Sequence, residues 1–295
     1  METATPFASM KRAERKAESN KMVKEYSRPA ADKNVYLEDV RPYEVLIITT
    51  EYLLGLLDSY QQKNQWQIVY GFIADRFRAI RQDLIVQQLP PQQIIRLLEL
   101  QIPFYLNARK LCEDLKIQNY DKKLHHSEMD ETFSRWLEAS KNGGEISDEI
   151  MKAYVYYYLN KENIAYEIIE VFGFTEASAE LLNLVFAYLN KNYSRFFQIL
   201  KDLKVDYLRN ALWIHVGSLR LEALETFRMA FGAKGVIFPL DVLADLLAFP
   251  SIKSLDECLK LLFNLPNGIP IPFSFFGLSI SAIDSSQLTQ HWYSV

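Results

Sequence analysis

The sequence predicts an all-α protein, a superhelix of stacked helical pairs followed by a C-terminal winged-helix domain with a small β-wing. Two observations favour helices. The 295 residues include only 10 Gly and 11 Pro, too few for an architecture with many turns. Before residue 235 we find no strand-like alternation, and apolar residues recur instead at helical spacing. A hydrophobic content of 49% is enough for a sizeable core.

Proline and glycine mark the boundaries of the expected helices. One helix begins after Pro42 and a second at about Gln65; the second ends before Pro90, because a residue that precedes proline disfavours the helical conformation. The next helix is expected to kink or break near Pro103, since proline lacks the amide hydrogen that a helix interior uses. Two further helices, "SEMDETFSRWLEASK" and "SDEIMKAYVYYYLNKE", flank a loop at residues 142–144.

A short internal repeat favours stacked helical pairs. The run Tyr158-Leu159-Asn160-Lys161 recurs at residues 188–191, an offset of 30 residues that is close to the length of a helix-turn-helix repeat. A coincidence between two tyrosine-rich helix ends is the alternative. We expect a helical-repeat domain over residues 41–210, preceded by a basic arm over residues 1–40 with a helix at residues 8–26.

After residue 210 the expected order of elements is helix, strand, helix, helix, strand, strand. The helices are "SLRLEALETFRMAFG", "PLDVLADLLAF" and "SLDECLKLLFNL". A short apolar "VIF" separates the first two, and two strand-like runs follow in "GIPIPFSFFGLSISAID". This order is typical of a winged helix, which we expect over residues 211–295.

Charge and cysteine content limit the class of protein. The net charge of −4 gives no overall attraction to nucleic acid, although residues 1–33 are positive and the rest of the chain is negative. Two cysteines, Cys112 and Cys258, are too few for a disulfide framework. No apolar run is long enough to span a bilayer, and no segment of the signal-peptide type stands near residue 1. We expect a cytosolic or nuclear protein.

Five charged residues fall within nine positions of the second helix. They are Asp75, Arg76, Arg78, Arg81 and Asp83. An apolar stripe runs between them, formed by Ile73, Phe77, Ile80 and Leu84. Asp75 and Arg78 are three apart on the far side and are expected to form a surface pair. Arg76 and Asp83 border the stripe without an opposite charge three or four positions away, so we expect both to be buried against partners on other helices.

This segment resembles a known family signature. "WQIVYGFIADRFRAIRQDL" is similar to the signature of the Sac-three/GANP family, whose core is Asp-Arg-x-Arg-x-[Ile/Val]-Arg-x-Asp. "VKEYSRPAA" and "LEDVRPYEVLIITTEYLL" resemble the segment that precedes this signature, and "DEIMKAYVYYYL" resembles a later helix of the family. The family's usual Arg-Phe-His element is replaced here by "IPFY" at residues 102–105, and its Met-Cys-Pro element is not matched. The resemblance covers roughly residues 10–265.

The resemblance implies a fold and a role. The fold is a PCI/TPR-like helical superhelix that ends in a winged helix. The role is that of a scaffold in the TREX-two transcription-and-export complex, which pairs with a PCI-domain partner and a small acidic Sem-one-type subunit and couples transcription to mRNA export at the nuclear pore. A shorter relative acts in centrosome duplication and spindle organisation, which is the alternative role here. Either role implies a protein without enzymatic activity.

No residue pattern indicates catalysis, a cofactor or a metal. General acid–base chemistry needs groups that converge in a cleft, whereas the charges of the second helix point in several directions. His125 and His126 are adjacent, so on a helix they point about 100° apart, and we expect both to be solvated rather than to bind a metal. His215 is expected to be structural or exposed. We therefore expect an ion-pair role for the five charged residues.

Two surfaces are candidates for interactions. The tail carries Phe273, Phe275 and Phe276, which would present aromatic rings on both faces of a wing and form a partner interface, unless the last residues fold back over them. Four basic residues of the arm are candidates for phosphate contacts, or simply for one face of a solvated helix: Lys11, Arg12, Arg15 and Lys16. Residues 236–295 contain two lysines against five acids, so sequence-specific reading of DNA by this domain is not expected.

Overall fold

A computed structural model describes residues 2–3, 22–28, 40–63, 65–118, 120–231 and 238–262 of the protein. The chain divides into two compact units between Ile150 and Met151. The strands are β1 (Glu2–Thr3) and β2 (Val23–Lys24). The helices of the first unit are α1 (Tyr43–Gln62), α2 (Trp66–Gln87), α3 (Pro91–Asp114) and α4 (Lys122–Lys141), and α5 (Asp148–Tyr157) crosses the division. The second unit continues with α6 (Ile164–Phe172), α7 (Glu176–Leu189), α8 (Tyr193–Asp202), α9 (Asp206–Trp213), α10 (Val216–Ala230), α11 (Leu240–Leu246) and α12 (Ile252–Leu262).

The ends of the first helices follow from local chemistry. Pro42 precedes α1 in an extended conformation, and its carbonyl accepts the first backbone hydrogen bonds of the helix. α2 ends at Gln87, and the next residue, Gln88, takes the left-handed conformation with φ of 51° and is separated by one residue from two prolines. The Asp121 side chain accepts hydrogen bonds from the backbone amides of Lys123 and Leu124, and so caps α4. These boundaries confirm the helices expected after Pro42 and from Gln65 to Pro90.

The core of the first unit lies between α2, α3 and α4. The apolar stripe of α2 is completely buried, and Phe77 makes an edge-to-face contact with Phe104 of α3 at 5.1 Å between ring centroids. Trp136 of α4 is also fully buried, and its indole donates a hydrogen bond to Glu99 at 3.1 Å. α1 packs against α2 and α3. The unit is therefore held by apolar contacts into which a few polar side chains are inserted.

Two expectations for this unit are wrong, and a third is wrong in part. α3, which was expected to kink or break near Pro103, does not break there. Residues 22–26, expected at the end of a basic helix, include β2, which pairs antiparallel with β1, so a short strand does precede residue 235. α4 begins at Lys122, five residues before the expected start. The rest of the expected basic helix, at residues 8–21, lies outside the described residues.

The internal repeat falls on two matching connections of the second unit. Tyr158–Lys161 follows α5 and leads to α6, whereas Tyr188–Lys191 ends α7 and leads to α8. In each copy the lysine ammonium lies near a tyrosine ring and pairs with a glutamate: Lys161 with Glu167 at 2.6 Å and Lys191 with Glu222 at 2.5 Å. α6, α7 and α8 pack in sequence. The expected stacking of helical pairs is therefore supported.

A buried arginine connects α10 to the residues that follow α11. Arg220 of α10 donates hydrogen bonds to the carbonyls of Leu247 and Ala248, which end α11, and its guanidinium lies 4.0 Å from the centre of the Phe249 ring. Burial lowers its pKa to about 10, so it stays charged at neutral pH. The three helices expected in this part of the chain are present. The first expected strand of the winged helix lies almost wholly, and its wing entirely, outside the described residues, as do Phe273, Phe275 and Phe276.

In the ranges given above, no helix combines the length and the apolar character needed to cross a membrane.

Two glycines provide a matched test of packing in the first unit. A Cβ at Gly144, in the α4–α5 connection, would lie 2.3 Å from Ile95 Cδ1 and 3.2 Å from the Ala139 carbonyl oxygen, whereas a Cβ at Gly55 within α1 meets nothing within 4 Å. We expect Gly144→Ala to lower the free energy of unfolding by about 1–2 kcal/mol through overpacking. Gly55→Ala should raise it by about 0.5–1 kcal/mol, because alanine favours the helix. Urea unfolding measures both, and a neutral or stabilising Gly144→Ala would contradict the expected contact.

Candidate functional site

The candidate site is the charged segment of α2, whose side chains contact two different sets of partners. On one side it meets α3 and α4, and on the other it meets the N-terminal segment formed by residues 22–28 and 40–41. Both sets of contacts arise from the position of α2 in the fold. Its apolar stripe is buried, so the charges that border the stripe lie against the neighbouring elements. Each charge therefore needs a partner supplied from elsewhere in the chain.

Arg81 is the most deeply buried charge of the site. Its side chain is 1% exposed, and its terminal nitrogens donate to the Glu128 carboxylate of α4 and to the Tyr105 hydroxyl of α3. The guanidinium also lies 5.2 Å from the centre of the Tyr105 ring. One side chain of α2 thus connects both neighbouring helices.

Glu128 is shared by two arginines. Its second carboxylate oxygen accepts from Arg78 Nε at 2.9 Å, while the first pairs with Arg81. The Arg78 guanidinium in turn lies 3.9 Å from the centre of the Tyr26 ring, in the N-terminal segment. The same carboxylate therefore fixes a buried arginine and a half-buried one that covers the N-terminal segment.

Asp83 holds the N-terminal segment at two points. Its side chain is 3% exposed and accepts from Lys24 Nζ at 2.8 Å and from Arg41 Nε at 2.7 Å. Gln82 and Gln87 add hydrogen bonds to the carbonyls of Ser27 and Arg41. Asp83 is buried as expected, but its partners lie on β2 and before α1, so the expectation of a partner on another helix is wrong.

Asp75 and Arg76 form an ion pair between adjacent residues. Arg76 is buried, its Nη1 donates to Asp75 Oδ2 at 2.7 Å, and its guanidinium lies over the ring of Phe72. Asp75 also accepts a hydrogen bond from the backbone amide of Tyr26. The expected surface pair between Asp75 and Arg78 is wrong, because Arg78 is engaged by Glu128. The expectation rested on spacings of three and four residues, whereas the pair that forms joins the adjacent residues Asp75 and Arg76.

His125 lies next to this network and is buried, so the expectation that it is solvated is wrong. Its Nε2 lies 3.0 Å from the Tyr105 carbonyl oxygen, which can only accept, so Nε2 carries the hydrogen. Nδ1 then accepts from the Tyr70 hydroxyl at 3.2 Å. Burial lowers the pKa of His125 to about 4, against the opposing effect of the Tyr105 hydrogen bond.

His126 is exposed, as expected, and pairs with Asp130. His215 of the second unit is buried and bonds to the Tyr156 carbonyl.

The arrangement suits cohesion rather than reaction chemistry. The carboxylates of Glu128 and Asp83 each bind two cations of the chain itself, so neither is poised as a base. Burial raises the pKa of both Cys112 and Cys258 to about 12, so both are thiols at neutral pH and not thiolate nucleophiles. Among the residues that the structure describes, no group of three His, Cys, Asp or Glu is placed to hold a metal ion.

The charged residues of α2 are identified from the sequence, but the residues that pair with them are not. The role of Glu128 could have been predicted from its position. It shares one buried face of α4 with His125, Met129 and Thr132, and a carboxylate on a buried face needs a cation as its partner. Lys24 and Arg41 lie in the segments that resemble the family but carry no local signal for pairing with Asp83. The candidate phosphate contacts Lys11, Arg12, Arg15 and Lys16 lie outside the described residues.

Removing the Asp83 carboxylate should destabilise the first unit. Asp83→Ala would leave Arg41 without its carboxylate in a largely buried position, which costs about 3 kcal/mol in comparable pairs. Glu131→Ala, which removes the partly exposed pair of Glu131 with Arg135 on α4, is the matched control and should cost about 1 kcal/mol or less. Denaturant unfolding of both variants measures the difference. Equal and small losses would show that burial of the Asp83 pairs contributes little.

The buried histidine should make stability depend on pH. The pKa of His125 is about 4 in the folded protein against 6.5 for a free side chain, so the unfolded chain binds a proton between these values that the folded protein does not. Stability should therefore fall as the pH falls from about 6.5 to 4, by up to about 3 kcal/mol from this group. His125→Gln should remove this part of the pH dependence. The exposed His126→Gln should retain it, and equal slopes for the two variants would contradict the assignment.

Comparisons with known proteins agree with the signature on α2. A model of the SAC3/GANP family matches residues 3–263, nearly the whole chain. SAC3 family protein B of Arabidopsis thaliana is 29% identical over 227 residues, which cover 68% of this chain. The chain spans about 13% of the length of that relative. The family expected from the sequence is confirmed: the chain belongs to the SAC3/GANP family.

Proposed function

We propose that the protein is a non-enzymatic scaffold of a TREX-two-like complex that couples transcription to nuclear mRNA export. In this proposal it pairs with a PCI-domain protein and a small acidic Sem-one-type subunit, and it acts in the nucleus, in association with nuclear pores. The observation that carries the proposal is the match to the SAC3/GANP family over residues 3–263, with the signature residues in place on α2.

The geometry of the signature supports a scaffold. Its carboxylates and arginines bind each other, α4 and the N-terminal segment, and they leave no open pair of acid and base. The helices α6 to α8 pack in sequence in the manner of a repeat protein, and such proteins offer extended surfaces to partners. A rigid stack of this kind is suited to assembly.

The proposal places the main partner surface at the C-terminal end. The helices α10, α11 and α12 would form the helical part of a winged helix of the PCI type, and the aromatic residues Phe273, Phe275 and Phe276 would contact the PCI-domain partner. Nucleic acid would be contacted weakly and through the complex, with the basic arm as the contributing segment.

The alternative is a scaffold that acts in centrosome duplication and spindle organisation, in the cytoplasm. Both roles use the same helical body, so only partners and cellular effects separate them.

Purification from source cells should distinguish the two roles. We expect the tagged chain to retain a PCI-domain protein and a small acidic subunit, and depletion of the chain to cause polyadenylated RNA to accumulate in nuclei. Phe276→Asp should leave the melting temperature unchanged and abolish capture of the PCI-domain protein. Phe174→Asp is the matched control, because Phe174 is 82% exposed and lies outside the proposed surface.

Each result bears on one part of the proposal. Recovery of centrosomal proteins alone, with normal RNA export and abnormal spindles, would favour the alternative. Normal capture by Phe276→Asp would overturn the proposed surface while leaving the export role open to the depletion result. Recovery of neither set of partners would contradict both scaffold roles.

A further inference from the structure

α1 carries a second, uncovered stripe, whose residues are exposed at three positions and half-buried at Tyr52 and Ser59. Its buried stripe, which faces α2 and α3, consists of Leu46, Thr50, Leu53, Leu57 and Tyr60. The second stripe lies about 140° away around the helix. It consists of Val45, Ile48, Tyr52, Gly55 and Ser59. These positions alternate in steps of three and four, the spacing of the line along which two helices contact each other in a coiled coil.

The uncovered stripe is apolar where it is most exposed. Ile48 is 65% exposed and Val45 41%, although both are large aliphatic side chains. At Gly55 there is open space, since a Cβ built there meets nothing within 4 Å. The Ser59 hydroxyl is already bonded to the Gly55 carbonyl of its own helix at 3.0 Å. The stripe thus presents two protruding aliphatic side chains and an open space at Gly55, and its serine hydroxyl already has a hydrogen-bond partner.

Three carboxylates line the outer edge of this stripe. Glu44, Glu51 and Asp58 are seven residues apart, about 10 Å per step along the axis, and all three are exposed. α1 contains no lysine, arginine or histidine. Within the described part of the chain these carboxylates form neither ion pairs nor hydrogen bonds. They occupy the flanking position of the heptad at which opposite charges select the partner of a helix.

We propose that this face of α1 binds one amphipathic helix of a partner protein, with apolar residues on its contact line and lysine or arginine opposite the three carboxylates. Charge complementarity selects this occupant, because the edge is uniformly negative and has no neutralising partner of its own. Nucleic acid is disfavoured by the same charges. The surface is separate in sequence from the C-terminal surface proposed above, so the inference goes beyond the proposed function.

Labelled synthetic helices of three heptads test the proposal by fluorescence anisotropy with the full chain. The probe has leucine on its contact line and lysine at both flanking positions, and the control probe has glutamate in place of lysine. We expect the lysine probe to bind at least about tenfold more tightly than the glutamate probe, with an affinity that falls as salt is added. Ile48→Ser should weaken binding of the lysine probe without changing its preference over the glutamate probe.

A charge-reversed variant provides the decisive comparison. The triple variant Glu44→Lys, Glu51→Lys, Asp58→Lys should prefer the glutamate probe. The control variant Glu138→Lys, at an exposed position of α4, should behave like the natural chain. Equal binding of the two probes, or an unchanged preference in the triple variant, would overturn the proposal.

The chain's own basic arm is the competing occupant. The lysine probe could bind only after the basic residues of the arm are changed to glutamine, namely Lys11, Arg12, Arg15 and Lys16. That result would assign this face of α1 to the arm, and it would overturn the proposal of an external partner.

Discussion

The guanidinium of Arg81 is almost completely removed from water, and the first unit is arranged around the need to neutralise it. An unpaired charge at this depth would cost several kcal/mol, so α4 must present Glu128 and α3 must present the Tyr105 hydroxyl at fixed positions. Glu128 then has a second oxygen for Arg78, and Arg78 covers Tyr26. The contacts that begin at one buried charge thus link three helices and the N-terminal segment.

The second unit contains the contrasting case of Arg220. Its guanidinium donates hydrogen bonds to the carbonyls of Leu247 and Ala248 and lies over the face of Phe249. The carbonyls at the C-terminal end of a helix carry a partial negative charge, which makes them suitable partners for a cation. An ion pair positions whole helices in the first unit, whereas the guanidinium here fixes the end of one short helix.

The sequence identifies the helices and the signature of this protein better than it identifies their partners. The stripe of α2 and the prolines at its end are local signals, and both lead to correct boundaries. Pro103 does not break α3, because its cost of about 3 kcal/mol is outweighed by burial of Ile102, Phe104 and Tyr105, which a local rule does not include. β1 and β2 have two residues each, too few to show alternation. The partners of Asp83 lie 42 and 59 residues away, beyond any periodic pattern.

Because one carboxylate receives both Lys24 and Arg41, the chain between these residues begins and ends at the same point of α2. The entropy lost on closing such a loop grows only with the logarithm of its length, by roughly 0.6 kcal/mol for each doubling. An insertion between Ser27 and Arg41 would therefore cost little in loop entropy, provided that Tyr26 and Ser27 keep their contacts with α2. The length of this segment is weakly constrained, whereas its two ends are fixed by their ion pairs with one aspartate.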